Sequence, residues 1–325
     1  MADREHLSLP CNLCGARDVD VLSLGDRDGN ALRTVICNAC GLVWTDPRPD
    51  DLGAYYARRY RLDYKGAVTP RLKHVYRAGR VAIDRYRNIA PFLKSGARVL
   101  DVGSGGGELL YLLVALGYPA SGIEPNLGYA EYSRAQYGLA VDIGMVQDVD
   151  LDGEGYDVIT MFHVLEHTGD PAAVLARLRA ALRAEGTLIV EVPNVEAICQ
   201  APRNRFHRAH LYNFNAETLR LLGAREGFEQ TYLKISPDGG NLLAVFARKD
   251  PRVVTGPLEA TTNAQTIKTT ITTHTALKHY LTRGPYRRAL KKIARSRDEK
   301  RWSRRFRDGK ALLDTLYDEL RADFA

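Results

Sequence analysis

Between residues 97 and 192, short apolar runs alternate with longer segments whose apolar residues recur at helical spacing. Arg98-Val99-Leu100-Asp101-Val102, Ala120 to Ile123, Tyr156 to Phe162 and Thr187 to Val192 read as strands. Their continuous apolar character fits strands buried on both faces. Glu108 to Leu116, Leu127 to Tyr137 and Pro171 to Leu182 read as helices, the last with Pro at a first-turn position. This alternation predicts βαβ units around a parallel sheet. The pattern then changes. Glu217 to Ala224 is helical, and Gln230 to Ile235 pairs with Leu242 to Ala247 as a hairpin across Asp238-Gly239-Gly240.

The flanks lack the alternation. Residues 9–46 are turn-rich and punctuated by cysteines, with Leu42-Val43-Trp44 as a short strand before Asp46-Pro47-Arg48-Pro49 breaks the chain. Residues 51–93 read as two helices separated at Pro70, rich in tyrosine. Residues 251–275 are Thr-rich and read as a linker; residues 276–323 read as helical and basic, with a break at Gly284-Pro285. The expected organisation is a small module at 9–46, a helical connection at 51–93, an α/β core at 94–250, a linker at 251–275 and a basic helical tail at 276–325.

Composition adds two facts. The chain has 325 residues, 45% hydrophobic and 26% charged, which is ordinary for a globular protein. Its net charge of +7 is unevenly spread: from Arg252 onward there are 17 Lys and Arg against 8 Asp and Glu, so the excess lies in the C-terminal quarter. Nucleic acid, an anionic membrane surface or an acidic protein could use such a segment, and a solvated helical face would have the same composition. No apolar run reaches the ~20 residues of a membrane span, and the charged start lacks the apolar stretch of a signal peptide. A cytoplasmic protein is expected.

The strongest chemical signal is Val99-Leu100-Asp101-Val102-Gly103-Ser104-Gly105-Gly106-Gly107-Glu108. A buried strand runs into a glycine-rich turn that opens a helix, so backbone can approach a ligand and amides point at it. The dinucleotide fingerprint fails, because its third glycine position falls on Glu108. A carboxylate at Asp101 suits a cationic amino-acid ligand better than a pyrophosphate. Glu124, in Ile123-Glu124-Pro125 at the end of the next strand, can accept hydrogen bonds from both hydroxyls of a ribose.

These residues resemble motif I of class I S-adenosylmethionine-dependent methyltransferases, with Glu124 as the ribose-binding acid. Phe162-His163-Val164-Leu165-Glu166-His167 resembles the segment after the fourth strand, and Glu185 to Asn194 the fifth strand and its exit. The resemblance spans roughly residues 70–248 and implies a Rossmann-like seven-stranded sheet whose last strand is antiparallel. It implies cofactor contacts at Asp101, Gly103, Ser104, Gly105, Gly107, Glu124, Pro125 and His163. Asp148, near the end of the third strand, would meet the adenine.

Cys11-x2-Cys14 and Cys37-x2-Cys40 lie 22 residues apart, each pair followed by Gly. Two such knuckles can place four thiolates around a structural Zn²⁺ with no open position; a redox dithiol is the other reading. Cys199 has no partner in sequence.

For the chemistry itself, His163, Glu166, His167, His207 and His210 are the candidates. His163 is either a base or a wall against the cofactor. His207-Arg208-Ala209-His210-Leu211-Tyr212-Asn213-Phe214 resembles a His-x-Tyr-x-Phe stretch of methyltransferases acting on sugars and other small molecules. Sugar C-methyltransferases, which also carry an N-terminal zinc module, place a Glu-His pair here; Ala209 stands where that Glu is expected. This favours O-methylation of a sugar or saccharide-linked metabolite, with His210 as base or as loop anchor. The alternatives are an RNA methyltransferase that uses the basic tail, with 13 basic residues between Arg283 and Lys310, and a non-catalytic binding module.

Overall fold

The computed structural model describes residues 7–48, 69–151, 155–249 and 261–324. Eleven strands are present among them. They comprise β1 (Val19–Gly25), β2 (Ala31–Cys37), β3 (Val43–Thr45), β4 (Val99–Val102), β5 (Ala120–Glu124) and β6 (Val141–Ile143), then β7 (Tyr156–Phe162), β8 (Leu182–Pro193), β9 (Tyr212–Asn213), β10 (Phe228–Ile235) and β11 (Asn241–Arg248). A seven-stranded mixed sheet has the order β10-β11-β8-β7-β4-β5-β6. Its half from β7 to β6 is parallel, and β10 pairs antiparallel with β11 as the hairpin pattern predicts. A second sheet has the order β1-β2-β3-β9. The chain divides into two compact units, each assembled from separated stretches.

One unit comprises residues 51–161, 181–189 and 288–325. All four residues of β4 are buried, as a central strand covered on both faces requires. The strand order reverses at β4, which has β5 on one side and β7 on the other; open α/β sheets bind ligands at the carboxyl ends of strands at such a switch point. Helix α1 (Leu72–Ile89) buries Val75, Tyr76, Gly79, Ala82, Ile83, Tyr86 and Ile89, one face at helical spacing. Helix α2 (Glu108–Ala115) follows the glycine turn, and α3 (Leu127–Tyr137) is capped by Asn126, whose side chain accepts from the Tyr129 amide.

The other unit comprises residues 1–50, 162–180 and 190–287. It contains the second sheet, helix α4 (Pro171–Ala181), helix α5 (Ala216–Arg225) with an Asn215–Thr218 capping box, and the β10–β11 hairpin. Leu32, Ile36 and Val43 of the small sheet share a core cluster with Val195, Phe206, Ala264 and Ile267.

The C-terminal quarter departs from expectation. The Thr-rich segment read as a linker contains helix α6 (Thr261–Thr273). Ala264 and Ile267 pack it into the core cluster, Asn263 Nδ2 donates to the Cys40 carbonyl at 3.0 Å, and Lys268 Nζ pairs with Asp20 at 2.5 Å. Thr266, Thr272 and Thr273 donate their hydroxyls to carbonyls one turn back, and the packing of Ala264 and Ile267 outweighs the low helical propensity of the segment. Helix α7 (Ala276–Tyr280) comes next. The break expected at Gly284-Pro285 separates it from α8 (Gly284–Ser303), which these two residues open; proline is tolerated there because its missing N–H would have no partner. The end of the chain is helical, as expected. Helix α9 (Gly309–Phe324) buries Leu312, Leu313, Leu316 and Tyr317. It closes on α1 at Gly79, where a Cβ would come within 2.7 Å of Leu313 and 2.8 Å of Leu316. The first of the two helices expected within residues 51–93 lies outside the described residues.

Candidate functional site

The glycine-rich turn takes the form its sequence demands. Gly103, Gly105 and Gly107 have φ of +75°, +60° and +85°, the left-handed region that glycine enters without penalty. At Gly107 a Cβ would also meet Leu139 and Ser133, both at 2.7 Å. The amides of Gly103 and Ser104 donate to the Ile123 carbonyl at 2.7 and 3.0 Å, tying the turn to the end of β5. The Gly105 amide donates to Glu124 Oε2 at 2.8 Å and the Asn126 amide to Oε1 at 3.0 Å. Glu124 is 2% exposed, and backbone donors fix its carboxylate at the carboxyl end of β5.

Asp101 is buried on β4, where Thr160 Oγ1 donates to its Oδ1 at 2.7 Å. Burial raises its pKa to about 6, against the smaller opposing effects of Thr160 and Arg85. A carboxyl held in that state gains from an ammonium ligand, which restores the charge that burial opposes. The Ser104 hydroxyl is buried without a hydrogen-bond partner. An unpaired buried hydroxyl beside side-chain-free glycines fits a polar ligand laid against this turn. Pro125 follows Glu124 half-buried. Asp148 does not belong to the third core strand, which closes at Ile143; it lies exposed in the following turn, where its amide donates to the Met145 carbonyl.

Behind the turn stands α9. Tyr317 Oη donates to the Glu108 carbonyl at 2.7 Å, and Tyr111 Oη to Asp314 at 2.5 Å. The apolar spacing of Leu312, Leu313 and Leu316 signals a packed helix, and all three are buried.

The second unit gathers four histidines. His163 directly follows β7 with φ +56°, the single non-glycine residue at positive φ among the described residues. Its amide donates to the Glu191 carbonyl at 2.8 Å, its Nδ1 lies 3.2 Å from Glu166 Oε1, and its Nε2 lies 3.2 Å from Glu191 Oε1. Burial lowers the His163 pKa, but the two carboxylates outweigh it and raise the value to about 9. His163 is therefore a cation at neutral pH. Burial alone would raise the Glu166 pKa; His167 and His163 reverse that and hold it at about 2.

His167 Nδ1 donates to the Ala209 carbonyl at 2.7 Å, which turns its Nε2 toward Glu166 Oε1 at 3.8 Å. The rings of His167 and His207 each lie 5.0 Å from that of His210. The Ala209 amide donates to His207 Nδ1 at 2.8 Å. Burial, then His167, push the His210 pKa down to about 3, so His210 is neutral and able to accept a proton. Glu166 Oε2 is buried without a hydrogen-bond partner. Glu166, His167 and His210 offer donor atoms within 4.8 Å of one another, and His163 already supplies the positive charge this carboxylate needs. Sequence reading brought these residues forward but missed Glu191, whose signal is a carboxylate inside the apolar run Ile189-Val190-Glu191-Val192.

The four N-terminal cysteines converge. Cys11 Sγ lies 3.5 Å from Cys40 Sγ and Cys14 Sγ 3.5 Å from Cys37 Sγ, and all four sulfurs fall within 4.8 Å of one another. These separations far exceed a disulfide bond, and they match the edges of a tetrahedron of thiolates around Zn²⁺ at ~2.3 Å.

A glycine cradle at the switch point of a doubly wound sheet, with an acid fixed at the end of the neighbouring strand, defines an α/β protein built to hold a nucleoside-bearing cofactor. Residues 73–233 match a family described as Methyltransferase domain. The chain is 38% identical over 117 residues to a tRNA U34 carboxymethyltransferase of Dichelobacter nodosus, covering 34% of this chain and 37% of that one. It is 33% identical over 110 residues to a ubiquinone biosynthesis O-methyltransferase of Cereibacter sphaeroides, covering 32% and 44%. The chain thus spans less than half the length of these curated relatives. A solved 1,6-didemethyltoxoflavin-N1-methyltransferase of Burkholderia thailandensis superposes with a TM-score of 0.46 at 19% identity, covering 64% of this chain and 96% of that one. The chain carries, over residues 73–233, a class I S-adenosylmethionine-dependent methyltransferase domain.

Proposed function

We propose that this protein transfers a methyl group from S-adenosylmethionine to a small polar acceptor, with the hydroxyl of a sugar or saccharide-linked metabolite as the first candidate. The observation that carries the reading is the Glu124 carboxylate fixed by the Gly105 amide beside the buried, partnerless Ser104 hydroxyl. In this reading Glu124 holds the ribose hydroxyls and Asp101 faces the cationic amino-acid end. Gly103, Ser104, Gly105 and Gly107 line the backbone approach, Pro125 packs beside them, and His163 walls the cofactor. Asp148, exposed beyond β6, is a weaker candidate for the adenine. When bound, the cofactor supplies an electrophilic methyl on a sulfonium; the protein aligns the acceptor and removes its proton.

His210 takes that proton. It is neutral in the folded protein, and Glu166 lies where its charge stabilises the imidazolium that forms. His167, anchored on the Ala209 carbonyl, and His163, clamped by Glu166 and Glu191, position this carboxylate. Cys11, Cys14, Cys37 and Cys40 hold one structural zinc. The tRNA-modifying relative keeps RNA as the alternative acceptor. Incubation with methyl-labelled cofactor and either a panel of sugars and small hydroxylated metabolites or bulk RNA separates the two. Label in a small molecule supports the proposal, and label in RNA alone replaces it.

A further inference from the structure

Helix α8 presents two chemically distinct faces from its first residue to Ser296, beyond which Arg297 closes the apolar side. Tyr286, Leu290 and Ile293 recur at i, i+4 and i+7 and so lie along one side. They are 60%, 68% and 52% exposed, and Ala289 and Ala294, on the same side, are exposed with them. Arg287, Arg288, Lys291, Lys292 and Arg295 occupy the remaining surface, and the stretch holds no carboxylate before Asp298. At the far end of the helix Glu299 accepts from Arg77 Nε and Nη2, both at 2.6 Å, and Trp302 stacks on Tyr76 at 5.1 Å; at the near end the Tyr286 hydroxyl donates to the Tyr280 carbonyl at 3.1 Å. Just upstream, Leu277 and Leu281 are 72% and 78% exposed.

A helical stretch about 20 Å long with an apolar stripe in water is marginal by itself. What covers it must accept both faces. RNA would engage the cations and leave three large apolar side chains in water. A second copy would bring five cations against five like charges. An anionic lipid surface satisfies both: the stripe enters the boundary of the acyl chains, and the long basic side chains reach the headgroups. No helix among the described residues is long and apolar enough to cross a membrane, so the contact is with the surface. We infer that residues 284–296 form an interfacial helix that docks the protein on anionic lipid bilayers.

The test is co-sedimentation of the full-length protein with phosphatidylcholine vesicles, with and without phosphatidylglycerol. Binding is expected only with the anionic lipid, and it weakens as salt rises. The double variant Leu290→Gln/Ile293→Gln alters exposed side chains of the stripe, outside the proposed cofactor-binding and catalytic residues. It is expected to reduce vesicle binding at least ~10-fold while leaving the melting temperature and cofactor affinity unchanged. No binding to the anionic vesicles, or binding that the double variant leaves intact, overturns the inference. So does retardation of RNA or concentration-dependent dimerisation without vesicle binding, each of which assigns the helix to the corresponding partner.

Discussion

His163 Nε2 lies 3.2 Å from Glu191 Oε1, and the His163 backbone is held at φ +56°. A non-glycine residue is rarely found there, and such geometry persists where its surroundings over-determine it. Here the Glu191 carbonyl fixes the backbone while the Glu191 and Glu166 carboxylates fix the ring. Burial lowers the His163 pKa and the carboxylates raise it to about 9. The stabilisation linked to this proton is fully present below pH 6.5, the ordinary value, and is lost as pH rises through about 9. Glu191→Gln is expected to lower the His163 pKa toward the ordinary value in an NMR titration. A pKa that stays near 9 would show that Glu191 contributes nothing to the clamp.

His210→Gln is expected to leave cofactor binding near normal and to lower turnover by ~10²-fold or more. With the His210 pKa at about 3, the wild-type rate should show no acid limb from this residue near pH 6. Unchanged turnover in the variant would reduce His210 to an anchor of its loop.

Asp101 titrates at about 6 because burial opposes its charge. A bound ammonium favours the carboxylate, so cofactor binding below about pH 6 should release a proton. Affinity should weaken as pH falls through that value. Calorimetry in buffers of different ionisation enthalpy reads the proton directly. Affinity that does not vary between pH 5 and 7 would remove Asp101 from the ligand's charge partners.

Tyr317→Phe removes the hydroxyl that donates to the Glu108 carbonyl at the start of α2. The expected loss is about 1 kcal/mol of stability, read as a lower denaturation midpoint. An unchanged midpoint would mean that α9 supports the glycine turn through its apolar contacts alone.

Metal analysis should find one zinc per chain in protein purified without added metal, released by Cys14→Ser. A folded N-terminal module without metal would make the four thiols a redox or packing feature.

The core was legible because each level of the sequence agreed. Val99 to Val102 is apolar enough for a central strand, Gly103 to Gly107 demands a special backbone, and Glu124 closes the neighbouring strand. The paired cysteines were legible because their spacing is itself the geometry. Less could be read where tertiary contacts override local preference. Thr261–Thr273 looks like a linker until Ala264 and Ile267 find a core. Glu191 gains its role from pairing with a histidine 28 positions earlier in the chain. Tyr317 acts 209 residues from its partner Glu108, a distance no local pattern encodes.

The turn and Glu124 are proposed to hold S-adenosylmethionine. Calorimetric titration of the cofactor into zinc-replete protein, beside Glu124→Ala, tests this proposal most directly. The account predicts saturable binding of the wild type, weakened in the variant by ~1–3 kcal/mol for the lost charged hydrogen bonds. Absence of binding in folded wild-type protein, or equal affinity in the variant, would contradict it.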